Sequence, residues 1–221
     1  MNKHLMAIAL LGAATGAWAQ TAGSWLIQGG VAHISPSVQS GTLGAPSPSG
    51  TTVGIGNDTQ PTLQLTYIYN DHWSVAVPVG TGFKHKIYGT GSIAGAGQIG
   101  TVTALPISVF GQYRFGQANG KFRPYGMLGL SYVNFQDAKG SAALNGINPL
   151  NPSGGSTGLK MDSKLALSPG LGLFIQINDR WFVDVSYAKT FLKTTTTLST
   201  GQTINTTLNP GTTTLGVGIR F

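Results

Sequence analysis

Cysteine and glutamate are both absent from the 221-residue chain. Without cysteine there are no disulfide frameworks, thiolate metal sites or cysteine nucleophiles. Charge of either sign is scarce, since Asp, Glu, Lys and Arg make up 9% of the residues, against about 25% in an average soluble domain. Long apolar runs are missing after the N-terminus. Hydrophobic residues reach 41%, yet mean hydropathy is only +0.10, so they are dispersed rather than blocked, which excludes a multi-span helical membrane protein. No G-x-S-x-G context and no Gly-rich loop with G-K-[ST] is present.

The single apolar block follows Asn2-Lys3-His4, runs over 5–16 and leads to Ala17-Trp18-Ala19. This pattern is a secretory signal peptide over 1–19, with an A-x-A cleavage site and an exported domain over 20–221.

The remainder has period two. Leu63, Leu65, Tyr67 and Tyr69 occupy alternate positions, separated by Gln64, Thr66 and Ile68, and Trp73, Val75, Val77 and Val79 alternate with smaller residues. Similar patterns fall at 25–34, 103–115, 123–135, 164–177, 181–191 and 212–221. Connections alternate in length: 70–72, 116–122 and 178–180 are short turns, whereas 35–59, 81–102, 136–163 and 192–211 are long and rich in Gly, Ser, Thr, Asn and Pro. The expected fold is all-β: an eight-stranded antiparallel transmembrane barrel with short periplasmic turns and four long extracellular loops. An even strand number puts both termini in the periplasm. That topology aligns Trp25, Tyr69, Trp73, Tyr113, Phe115, Tyr125, Trp181 and Phe221 as an interfacial girdle at the periplasmic strand ends.

The ordered segments Gly23-Ser24-Trp25-Leu26-Ile27, Asn57-Asp58-Thr59-Gln60, Asp71-His72-Trp73-Ser74-Val75 and Phe83-Lys84-His85 continue through Leu105-Pro106 and Phe122-Arg123-Pro124-Tyr125. They end with Asn178-Asp179-Arg180-Trp181-Phe182 and Gly216-Val217-Gly218-Ile219-Arg220-Phe221. In this order and spacing the chain resembles the OmpW family of small outer-membrane proteins. It departs from that pattern at Thr81-Gly82 before Phe83, and in a first loop unusually rich in Gly, Ser and Pro. The resemblance implies an integral barrel of the bacterial outer membrane whose apolar interior lets small hydrophobic molecules cross. The terminal Phe221 resembles the signal read by the barrel assembly machinery, an implied partner.

Eight strands leave a bore that side chains nearly fill, and a sealed barrel would be expected to carry a paired acid–base network there. With no glutamate for one, the expected lumen is apolar: Leu26, Ile68, Phe110, Phe174 and Phe182 on the inner face, with Arg114, Arg220 and Asp184 toward the periplasmic end. A greasy solute would leave poorly past those arginines. Pro78 and Pro106, in neighbouring strands, would mark a lateral gap into the bilayer, because proline donates no ladder hydrogen bond; a bulge or an unneeded N–H accounts for them equally well. Lys84, Lys86, Lys189 and Lys193 map to the loop side, where an exported barrel meets lipids and lipopolysaccharide phosphates rather than nucleic acid. Solvated loop charges are the simpler reading of those lysines.

His33, Ser35, His85 and Asp58 could assemble as a hydrolase site, but such a pairing is easily found by chance in a Ser-rich chain, and the histidines cannot converge on a metal. No catalytic residue, metal site or cofactor is expected. The preferred reading is a monomeric barrel giving small hydrophobic solutes a passive route, with lateral exit. The alternative is a passive surface barrel acting through its loops as adhesin, receptor or envelope stabiliser.

Overall fold

The computed structural model describes residues 22–151 and 157–221; the expected signal peptide, 1–19, lies outside the described residues. The strands are β1 (Trp25–Ser35), β2 (Gln39–Ser40), β3 (Thr51–Ile55), β4 (Asp58–Ile68), β5 (Trp73–Gly80), β6 (Phe83–Gly91), β7 (Gln98–Arg114) and β8 (Phe122–Gly140). After helix α1 (Ala142–Ile147) come β9 (Leu159–Met161), β10 (Lys164–Gln176), β11 (Trp181–Lys189), β12 (Lys193–Leu198), β13 (Thr203–Thr207) and β14 (Gly211–Arg220).

Antiparallel pairing runs β1–β4–β5–β7–β8–β10–β11–β14 and returns to β1, closing an eight-stranded barrel. β6 continues the course of β5 beyond Thr81-Gly82. The seam joins the first and last strands from Leu26↔Arg220 to Ser35↔Gly211, so every spanning strand has neighbours on both sides, as a bilayer requires. Period two explains the two faces. On β14, Leu215 and Val217 point out and are about half exposed, while Gly216 and Gly218 are buried inside. At the seam Gly30 stands against Gly216, and a Cβ on Gly30 would lie 2.1 Å from the Leu215 carbonyl oxygen; only glycine permits that approach.

Two short turns are built alike. Asn70 Oδ1 accepts from the backbone N–H of His72 and Trp73 at 2.9 and 2.8 Å. Asn178 Oδ1 accepts from those of Arg180 and Trp181 at 3.0 and 2.9 Å. Both are Asx turns in which the side chain replaces backbone partners that a tight reversal cannot supply.

At the opposite end the long connections carry structure of their own. β3 pairs with β6, and β2, β13, β12 and β9 form a separate four-stranded sheet. The second connection is short, because β6 and β7 extend to Gly91 and from Gln98.

Trp25, Tyr69, Trp73, Tyr113, Phe115, Trp181 and Phe221 are exposed at the short-turn end, with Tyr113 edge-on to Trp73 and to Phe115 at 5.1 Å. Tyr125 departs from the expected girdle. Odd-numbered residues of β8 point inward, so Tyr125 is 2% exposed while Leu128, Leu130 and Tyr132 face out. Its ring has room because the residue across the ladder is Gly172.

Candidate functional site: an apolar lumen above a polar plug

Toward the short turns the bore is filled. Leu26, Ile68, Phe174 and Phe182 form one buried cluster with Tyr125, in which the Phe174 and Phe182 rings stack at 4.6 Å. Arg114 lies over the Tyr125 and Phe174 rings, at 5.5 and 5.2 Å from their centroids. Its Nε donates to Ser74 Oγ at 3.0 Å and its Nη2 to Gln112 Oε1 at 3.2 Å. Tyr125 donates to Asp184 at 2.8 Å, and Arg123 donates to the Phe115 and Asp71 carbonyls. Arg220 donates to the Asp179 carbonyl at 2.8 Å. A plug of hydrogen-bonded polar groups and aromatic rings thus occupies the half of the bore that sequence reasoning left to apolar side chains and a few charges. Neutral acceptors and ring faces contact the guanidinium of Arg114 directly, and the charge of Asp184 lies within electrostatic reach.

Above this plug a cavity of about 1290 Å³ of empty space, mouths included, occupies the lumen. Ala32, Phe83, Val102, Ala104, Phe110 and Val133 supply much of its apolar wall. Of the five expected lumen residues, Phe110 lines this cavity, and the other four lie in the cluster below it.

Four wall hydroxyls form a chain across neighbouring strands. Ser108 donates to Ser131 at 2.8 Å, Ser131 bonds Ser168 at 2.9 Å and Ser168 bonds Thr190 at 2.9 Å. Sequence reasoning missed this belt. Single serines in an alternating strand reveal their side of the sheet but not their height in the barrel, which depends on register.

One stretch of wall is unzipped. β5 pairs with β7 from Trp73↔Tyr113 to Ala76↔Phe110, and β6 resumes pairing with β7 at Phe83↔Ala104. Between these points no ladder pairing joins 77–82 to 105–109. Pro78, Val79, Gly80, Thr81, Leu105 and Pro106 border the lumen cavity there. On the outer surface the same stretch is flanked by exposed Val77, Val79, Ile107 and Val109. The two prolines therefore fall on the two sides of the break, and neither can donate a backbone hydrogen bond to it.

Beyond the apolar outer band, β6 turns Lys84 and Lys86 outward and exposed. Lys189 follows the exposed Tyr187 on β11 and donates to Ser37 Oγ at 3.0 Å; Lys193 is exposed at the start of β12. Inward from these lysines, His85 is buried and its Nδ1 bonds the Gly56 carbonyl at 2.8 Å. Burial lowers its pKa below the ordinary 6.5, outweighing that bond and the charge of Asp58. The four residues considered for hydrolysis are not wired for it. Ser35 donates to Asn57 at 3.1 Å, and His33 bonds Thr59 at 2.8 Å. Phe221, half exposed, exchanges backbone bonds with Trp25 at 2.9 and 3.2 Å.

Comparison with known proteins bears on this architecture. Outer membrane protein W of Vibrio cholerae serotype O1 is 30% identical over 227 residues, covering 100% of both chains. The dibenzothiophene metabolism operon protein PahQ of Pseudomonas aeruginosa is 27% identical, covering 72% of this chain and 70% of its own. Among solved structures, the outer membrane protein OprG from Pseudomonas aeruginosa superposes with a TM-score of 0.79 at 23% identity, over 91% of this chain and 98% of that one. The sequence profile of the OmpW family matches residues 21–221. With a closed barrel, an outward apolar band and a family match over residues 21–221, the chain belongs to the OmpW family and is an integral outer-membrane protein.

Proposed function

We propose that the barrel gives small hydrophobic molecules a passive route through its apolar lumen, with lateral exit into the bilayer at the break between Pro78 and Pro106. The observation that carries this reading is the coincidence of the unpaired stretch with the cavity wall inside and exposed valines and isoleucine outside. Transfer of a solute from water into such a cavity is favoured by about 25 cal/mol per Å² of apolar surface. Passage straight on is opposed by the Arg114–Tyr125–Asp184 plug, which offers a greasy molecule no apolar course. A side exit returns it to hydrocarbon. The relative placed by its name in a dibenzothiophene metabolism operon agrees with a hydrophobic cargo.

In this arrangement the short turns and both termini face the periplasm. The barrel works as a monomer, since every spanning strand is already paired with a neighbour on each side along most of its length. Lys84, Lys86, Lys189 and Lys193 hold phosphates of lipopolysaccharide around the outer rim, and Phe221 presents the assembly signal to the barrel assembly machinery. The protein performs no catalysis and needs no cofactor.

The test is uptake of a small hydrophobic dye and of a hydrophilic solute of similar size by cells with the wild-type barrel, with Phe110→Asp, or without the barrel. Faster entry of the dye alone, lost in Phe110→Asp while the barrel still assembles, is the expected result. Equal dye entry in all three strains would overturn the conduit and assign the function to the loops.

A further inference from the structure

The long connections enclose a second cavity on the far side of the lumen from the plug. It contains about 750 Å³ of empty space, mouth included. Met161, Leu198 and Ile204 of the small sheet line it together with Ile87, Ile99 and Leu144 of β6, β7 and α1. Ile55 borders both this cavity and the lumen. A single cluster of buried apolar side chains also contributes to both, through Ile87 and Ile99 on one side and Val102 and Leu192 on the other.

The polar side chains in this lining are those of Ser47, Thr51, Asn148, Thr196 and Thr206. Thr206 is 3% exposed and lies on the same face of β13 as Ile204. Its Oγ1 has no hydrogen-bond partner among the described residues. Its ladder neighbours are committed elsewhere: Thr194 donates to the Asp162 carbonyl at 2.7 Å, and Ser40 to the Gly41 carbonyl at 2.7 Å. Asn148, the only side-chain amide in the same wall, is occupied at both ends, donating to Thr200 and accepting from the Leu150 N–H. A buried hydroxyl is costly to leave unpaired. An apolar chamber with the buried, unspent hydroxyl of Thr206 in its wall, and no charged side chain among the described residues of its lining, suits a neutral guest with one oxygen.

We infer that this outer cavity binds small neutral molecules that join an apolar body to a single oxygen acceptor, with that oxygen taking the hydrogen bond of Thr206. The site deepens the conduit reading by placing a loading station ahead of the lumen. Binding there does not depend on passage.

The experiment uses two molecules of matched shape, cyclohexanone and methylenecyclohexane, titrated into the methyl-labelled protein in lipid nanodiscs. Both should shift the Ile204 and Leu198 methyl resonances, with the ketone binding roughly three- to tenfold more tightly, the worth of one hydrogen bond. Thr206→Val should remove that preference and Thr206→Ser should keep it, which separates loss of the hydroxyl from loss of the fold. An Ile204 methyl that neither probe shifts, or a ketone preference that survives Thr206→Val, overturns the inference; a bound water would give the first result. Val102 and Ala104 methyls report the lumen separately. Shifts confined to them refute the outer site and leave the conduit standing, whereas shifts confined to Ile204 and Leu198 support the outer site and count against the lumen.

Discussion

Phe110 and Gly129 are ladder partners across β7 and β8, and the Phe110 ring fills the space a side chain at 129 would take: a Cβ there would lie 2.4 Å from Phe110 Cε1. The same pairing of an inward aromatic with a facing glycine holds for Tyr125 with Gly172 and Phe182 with Gly218. A ring laid against glycine covers bare backbone, and at Phe110 this leaves the cavity above the plug open. Gly129→Val should therefore drive Phe110 into the lumen cavity. If the displaced ring raises the passage barrier by about 1.4 kcal/mol, dye entry slows about tenfold, while Gly126→Val, at a position with no close side-chain contact, leaves entry near the wild-type rate. Single-cell dye uptake checks both.

The break in the wall predicts its own chemistry. Backbone N–H groups within 77–82 and 105–109 that lack ladder partners should exchange with deuterium faster than those of the paired stretches on either side. Replacing both Pro78 and Pro106 with Ala restores two donors and should slow that exchange and dye exit together. Unchanged exchange would show that the prolines do not hold the strands apart.

Removing charge at the rim should weaken lipid retention. The Lys84→Gln, Lys86→Gln, Lys189→Gln triple variant should co-purify with less lipopolysaccharide, each exposed contact contributing up to about 1 kcal/mol. The difference from wild type should shrink at high salt. Phosphate assay of the purified barrels measures it.

Acid should loosen the mouth of the lumen. His85 is outside the apolar outer band and its folded pKa is lowered by burial, so the unfolded chain takes up its proton first. Stability from this group is complete above the unfolded value of 6.5 and is lost as pH falls through it toward the lower folded pKa. Urea unfolding between pH 7 and about pH 5 should show this slope, and His85→Gln should flatten it. Asp58, whose carboxylate accepts from Gln60 and the Lys84 N–H, titrates at more acid pH.

How legible the chain was depends on which strand is asked. Trp73, Val75, Val77 and Val79 announce a lipid-facing strand because large and small residues alternate. β12 announces nothing, because Thr194 to Thr197 are all threonine; Thr194 and Thr196 are buried while their neighbours are half exposed. That is how the small outer sheet escaped notice. Strand order alone shows that Pro78 and Pro106 lie in neighbouring strands; that the ladder is unpaired between them was not readable. The plug was not, because Arg114, Tyr125 and Asp184 come from three strands whose relative heights are fixed by register, and composition carries no register. Tyr125 shows the limit most clearly: in a strand where both faces carry Gly and apolar residues, its side could be learned only from Gly172 across the ladder.

The chain of hydroxyls through Ser108, Ser131, Ser168 and Thr190 has a simple proton arithmetic. Four hydroxyls carry four hydrogens, and their three mutual bonds use three of them. With Ser108 donating to Ser131, the surplus hydrogen resides on Ser131, Ser168 or Thr190, and rotation of O–H bonds alone moves it among them. The wall can thus shift its one spare donor between Ser131 and Thr190, which line the lumen cavity, by way of the enclosed Ser168 and without moving a heavy atom.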